Sequence, residues 1–141
     1  MLRQVQVFSL LVLAGCLSAC GGGASDMPEV GTVTGTVTLD GNPVAGATVS
    51  FWPKEGGRTS TGVTDENGRY ELEYMPGVKG AKIGRCQVSV STMREAEYDE
   101  SGENIIREAT EETIPSDYND DTSLEQDVKA GDNQINLDLT T

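Results

Sequence analysis

The sequence contains no histidine. That absence removes the commonest general base and the commonest metal ligand, and it excludes Ser-His-Asp and Cys-His sites outright. Cysteine is scarce: two of the three fall in the first 20 residues, and only Cys86 lies beyond them. One thiol cannot close an intramolecular disulfide. Aromatic residues make up 5% of the chain, so a core must rest on Val, Ile and Leu with a few rings. Positive charge is also short, with 10 Lys and Arg against 23 Asp and Glu, a net charge of −13. A chain of that sign is ill suited to nucleic acid, whose phosphates call for Lys and Arg, and to lying flat on an anionic bilayer. It is compatible with solubility, calcium or a basic partner.

The chain has one long apolar run, residues 5–13 (VQVFSLLVL), behind a single Arg3. As a helix it is too short to cross a hydrocarbon layer of about 30 Å, and it has the length of an export signal. Two segments after it, Leu13-Ala14-Gly15-Cys16 and Leu17-Ser18-Ala19-Cys20, have the form of a lipobox. They resemble bacterial lipoprotein signals, with Leu at −3, small residues at −2 and −1, and Cys at +1. The resemblance implies a signal peptide over residues 1–19, a lipid on Cys20, and a flexible tether over 20–29 that contains Gly21-Gly22-Gly23-Ala24-Ser25. Cys16 is the alternative lipidation site. The implied location is exported and lipid-anchored to the bacterial cell envelope, on the periplasmic or outer face. Acyl chains on the Cys would supply the membrane attachment.

Glycine is plentiful, at 17 residues, and suits a fold with many turns. From Gly31 the chain alternates: Val33, Gly35, Val37 and Leu39 share one face, and Thr32, Thr34, Thr36 and Thr38 the other. This is the pattern of a half-buried strand. A second strand places Ala47, Val49 and Phe51 inward and ends at Pro53, which has no N–H for the ladder. Residues 58–64 (RTSTGVT) read as a weaker strand at a sheet edge. Asp65-Glu66-Asn67-Gly68 is hairpin-turn chemistry. Tyr70, Leu72 and Tyr74 then alternate with Arg69, Glu71 and Glu73. Residues 82–93 form a long strand with Cys86, Val88 and Val90 inward, so Cys86 reads as a small core residue rather than a catalytic thiol. Residues 95–121 hold eleven Asp or Glu and one Arg, and read as an exposed, mobile acidic loop with room for a helical turn at 104–109. A last hairpin spans residues 122–140, with Leu124, Val128, Ile135, Leu137 and Leu139 inward. The expected fold is an all-β, seven-stranded antiparallel β-sandwich over residues 30–141, with the acidic loop before the last two strands.

Several segments resemble a known pattern. They are Val33-x-Gly35-x-Val37, then Gly41-x-Pro43-Val44-x-Gly46-Ala47-x-Val49, then Thr64-Asp65-x-x-Gly68-x-Tyr70-x-Leu72. Together they are similar to the carboxypeptidase regulatory-like domain, one of the transthyretin-like (prealbumin-like) sandwiches. Gly84-x-x-x-Val88-x-Val90, Ile114-Pro115-x-x-Tyr118-Asn119 and Val128-x-x-Gly131-x-Asn133 look like the small exported lipoprotein version. The resemblance implies a transthyretin-like or Ig-like sandwich in an exported setting, usually an accessory module, and it carries no catalytic residues. Each motif also has a structural reading: Gly35 for a bulge or close backbone approach, Gly46 and Gly68 for positive φ, Asp65 and Asn67 for bonds to their own turn.

Few residues invite chemistry. Asp117, Asn119 and Asp121 occupy positions 1, 3 and 5 of a calcium-loop pattern, but Thr122 stands where Gly is required and Val128 where Glu is required, so this is no EF-hand. They remain the candidate metal ligands of a looser Ca2+ site. Trp52 shares parity with Thr48 and Ser50; its ring is the candidate binding residue for a sugar or protein, or else it covers a sandwich edge or the 54–62 loop. The expectation is a non-catalytic, membrane-tethered envelope lipoprotein that binds or scaffolds an envelope protein or polysaccharide. The alternative is a calcium-dependent adhesion or carbohydrate-binding module using the 95–121 loop.

Overall fold

The computed structural model describes residues 27–141. The expected signal peptide and both lipidation candidates, Cys20 and Cys16, lie outside the described residues. Strands β1 (Val30–Leu39), β2 (Asn42–Pro43), β3 (Thr48–Pro53), β4 (Ser60–Val63), β5 (Arg69–Glu71), β6 (Glu73–Met75), β7 (Val78–Lys79), β8 (Ala81–Lys82) and β9 (Gly84–Ser91) precede the acidic segment. β10 (Glu97–Tyr98) and β11 (Ile105–Arg107) lie within it; β12 (Glu125–Val128), β13 (Asp132–Gln134) and β14 (Leu137–Leu139) follow it.

The fold is an all-β sandwich. One sheet runs β12-β9-β3-β4-β6-β7, and the other is built around β1. On one edge β1 pairs antiparallel with β8, β5 and β2 in turn; on the other it pairs parallel with β13 and β14. Between the sheets the alternating residues meet as the periodicity predicts. Val33, Val37, Tyr70, Leu72, Leu137 and Leu139 come from the β1 side, and Ala47, Val49, Phe51, Cys86, Val88, Val90 and Val128 from the other. Each fully buried Val, Leu or Phe contributes roughly 1.5–3 kcal/mol relative to exposure.

Four expectations are corrected. Residues 58–64 are not at an edge: β4 lies inside its sheet, between β3 and β6. The last strands are not a hairpin: β12 pairs with β9 in one sheet, while β13 and β14 cross to β1 in the other. The sandwich is therefore not wholly antiparallel, because a crossing strand arrives beside β1 in the same direction. The 104–109 region is not helical, since β11 forms there; the described helical piece of the acidic segment is a single 3-10 turn at Ser116–Tyr118.

Residues 69–75 also change sheets, though they alternate as one strand. β5 pairs with β1 and β6 with β4. Leu72 at the switch is fully buried, donates to the Val33 carbonyl at 3.0 Å, and accepts from Gly80 N at 2.7 Å.

Candidate functional site

β1 orients the molecule. Its Val30 end, beside Lys82, continues from residues 27–29, and its Leu39 end, beside Asn42, marks the opposite pole. Ten residues of strand separate the two, roughly 30 Å at about 3.3 Å per residue. Two features lie at the far pole.

The first is an open cleft of about 760 Å³. One wall is the turn after β1, with Leu39, Pro43, Val44 and Ala45; the other is Thr92 and Arg94 with Thr110 and Thr113. Asp40 and Glu111 add carboxylates to the lining. The Asp40 carboxylate is engaged by the Thr141 N–H at 3.0 Å and its hydroxyl at 2.8 Å, which hold it below the usual aspartate range. Arg94 forms no ion pair among the described residues. Its Nε is buried and without a hydrogen-bond partner.

The second is a ribbon that leaves the sandwich at Arg94 and returns at Thr110, the two residues exchanging backbone hydrogen bonds of 3.0 and 2.9 Å. Within it β10 and β11 pair with each other and with neither sheet. Its tip is closed by Asp99, whose carboxylate accepts from the Ser101 hydroxyl and the Asn104 amide at 2.6 Å each. Those bonds hold the Asp99 carboxyl well below the usual aspartate range. Ile105 and Ile106 lie where the β10–β11 register shifts by one residue; both are more than half exposed, as is Tyr98. Residues 94–110 carry six Asp or Glu against two Arg.

The acidic segment thus divides, and its return arm is anchored where a mobile loop was expected. Ile114 is buried in the core and Tyr118 packs against it. Glu112 accepts from the Ser91 hydroxyl, and from the N–H groups of Thr92 and Ile114 at 3.0 Å each. Burial works to raise its pKa, but these hydrogen bonds prevail and the carboxyl sits below the usual glutamate range.

The metal candidates are not gathered into a cage. The Asn119 side chain closes its own turn, its amide donating to the carbonyls of Ile114 and Pro115 at 3.2 Å each and its oxygen accepting from Asp120 N at 2.7 Å. Asp117 and Asp121 are exposed on either side. Among the described residues no three His, Cys, Asp or Glu side chains are placed to hold a metal ion. Trp52 stands on the outward face of β3, a strand between β9 and β4 rather than a sheet edge, and is 42% exposed. Its cross-strand partner is Gln87. Nearby, Glu125 accepts from Lys54 and from Arg85 Nε, and the two cations hold its carboxyl low. Cys86 is fully buried as expected, and burial pushes its thiol pKa up, which disfavours the nucleophilic thiolate. Arg94 carries no local sequence signal; it matters only because the ribbon base and the 39–46 turn meet in space.

No curated protein matches the sequence. Three solved structures align with it in part. A 9R-lipoxygenase from Cyanothece is 19% identical over 80% of this chain and 16% of its own, with a TM-score of 0.45. BcpA, the major pilin subunit of Bacillus cereus, is 19% identical over 79% and 30%, with a TM-score of 0.43. A DUF3823 family protein from Parabacteroides merdae is 12% identical over 79% and 46%, with a TM-score of 0.39. The chain thus spans less than half the length of each. A family model matches residues 33–125, well over half of the sequence. The chain belongs to that family, described as a domain of unknown function, DUF6795.

Proposed function

We propose that this chain is a non-catalytic binding module, held by a lipid on Cys20 at the exported side of a bacterial membrane, and that the acidic ribbon is its contact surface. The reading includes kinship with the carboxypeptidase regulatory-like sandwiches, on the motifs quoted above. The observation that carries it is the polarity of the domain. The tether would join at the Val30 end of β1, whereas the ribbon springs from the opposite pole. An anchored domain would then present Tyr98, Ile105 and Ile106 outward. An isolated two-stranded ribbon is marginal in water, and keeping Tyr98, Ile105 and Ile106 exposed on it is costly unless a partner covers them. The acidic rim selects a basic partner, an envelope protein surface with apolar residues ringed by Lys or Arg.

Two measurements test this. Replacing Cys20 with Ser should move the protein from the membrane fraction to the soluble one; release by Cys16→Ser instead reassigns the anchor. A photo-crosslinker at Ile106 in intact cells should yield a discrete adduct that Glu97→Lys with Glu103→Lys abolishes. An adduct indifferent to that charge reversal would refute the ribbon as the contact surface.

A further inference from the structure

We propose that the far-pole cleft is a separate site for amino acids or short peptides bearing a free carboxylate, with Arg94 as the carboxylate-binding residue. The inference stands whether or not the ribbon contacts a protein.

The Arg94 side chain makes no hydrogen bond among the described residues; its Nε is closed off and unpartnered, so the terminal Nη groups are the donors that a carboxylate in the cleft would meet. Arg94 lines a cleft of about 760 Å³, inside the range of small-molecule sites, about 300–1,000 Å³. In a chain with 23 acidic residues, the guanidinium still forms no ion pair among the described residues. Planar guanidinium matches a carboxylate through two parallel N–H···O bonds.

The rest of the lining restricts the ligand further. Leu39, Pro43, Val44 and Ala45 supply an apolar wall for an aliphatic side chain. Glu111 and Asp40 would repel a simple dianion, and they favour a ligand that also carries an ammonium or amide N–H donors. The hydroxyls of Thr92 and Thr110 are already committed, to the Glu111 carbonyl at 2.9 Å and to the Thr92 carbonyl at 2.5 Å. The free cation is therefore the group that decides affinity. Carboxylate, amine and aliphatic side chain together describe an amino acid or a short peptide.

The test uses the full chain and two probes, the dipeptide Ala-Leu and its C-terminal amide, followed by amide-resolved NMR titration. The free dipeptide should shift resonances of residues 39–46, 92–94 and 110–113 saturably, and the amidated one should not. Arg94→Gln should weaken binding about tenfold, the loss of one charge-assisted contact. Arg94→Lys keeps the charge but not the fork and should fall between. Equal binding of the two dipeptides, or no saturable shift in the cleft at millimolar probe, overturns the proposal. Because that comparison needs only the unmodified chain, a folding defect in either variant cannot obscure it.

Discussion

At the scale of single residues, the close approaches of backbone to backbone decide what the sequence tolerates. Gly35 is the sharpest case. A Cβ there would collide with the carbonyl oxygen of Ile135, a backbone atom that cannot step aside. Gly35→Ala should therefore destabilise by at least about 2–3 kcal/mol, measured by urea unfolding. Gly131→Ala meets open space and bears only the strain of φ +85°, so its cost should be about 1–2 kcal/mol. If the two variants unfold at the same urea concentration, the close approach is not what requires glycine at 35. Asp65 is a second such residue. Its carboxylate accepts from Asn67 N and Arg69 N at 2.9 Å each, and Gly68 completes the turn with φ +75°. The sequence pattern anticipated this turn, because Asx bonding and positive φ are local properties of Asp and Gly. The approach of Gly35 to Ile135 joins residues a hundred positions apart; the sequence offers a glycine there, and only the fold supplies the neighbour.

At the scale of elements, period-2 alternation located the inward faces of β1, β3 and β9 because parity is set by the strand itself. It could not say which strand lies beside which. Residues 58–64 look like an edge because they carry little apolar weight, yet β4 is flanked on both sides. Residues 122–140 look like a hairpin because Gly131 makes a turn, yet that turn is the passage between sheets. Asn133 holds it, donating to the carbonyls of Thr32 at 3.0 Å and Lys129 at 2.8 Å and accepting from Lys129 N at 2.9 Å. The cleft was illegible for the same reason, since it joins the 39–46 turn to the base of a ribbon 50 positions later. The ribbon itself should be dispensable for folding, because it pairs with neither sheet. Replacing residues 97–107 with a short Gly-Ser loop should leave the melting temperature within a few degrees, since loop length costs little. A cooperative loss of the sandwich on that replacement would show that the ribbon is part of its framework. The return arm is different. Glu112 has a lowered folded-state pKa, so its contribution is present above the ordinary glutamate value of 4.5 and is lost as pH falls through the folded value. Glu112→Gln should flatten the fall of melting temperature below that pH. An unchanged acid slope would mean that other carboxylates govern it.

At the scale of the whole molecule, a net charge of −13 repels itself. Added salt should raise the melting temperature between low ionic strength and about 0.15 M, where the screening length shortens to about 8 Å. A melting temperature insensitive to salt would imply that the ion pairs of Lys54, Lys79, Arg85 and Arg107 already offset the excess. The same charge would set orientation on a bilayer with anionic headgroups. The ribbon pole would be pushed away and the Val30 end of β1 left nearest the surface.

The parallel seating of β13 and β14 beside β1 has one more consequence. Thr32 faces Asp132 and Leu39 faces Leu139, so the first strand to be synthesised waits for nearly the last. Until residues 137–139 emerge, one flank of β1 offers its bare peptide groups to any passing chain. Productive folding would then wait for the completed domain and be slow, as expected of contacts so distant along the polypeptide. A stop codon at position 136 should yield an aggregating or proteolysed product rather than a slightly weakened one.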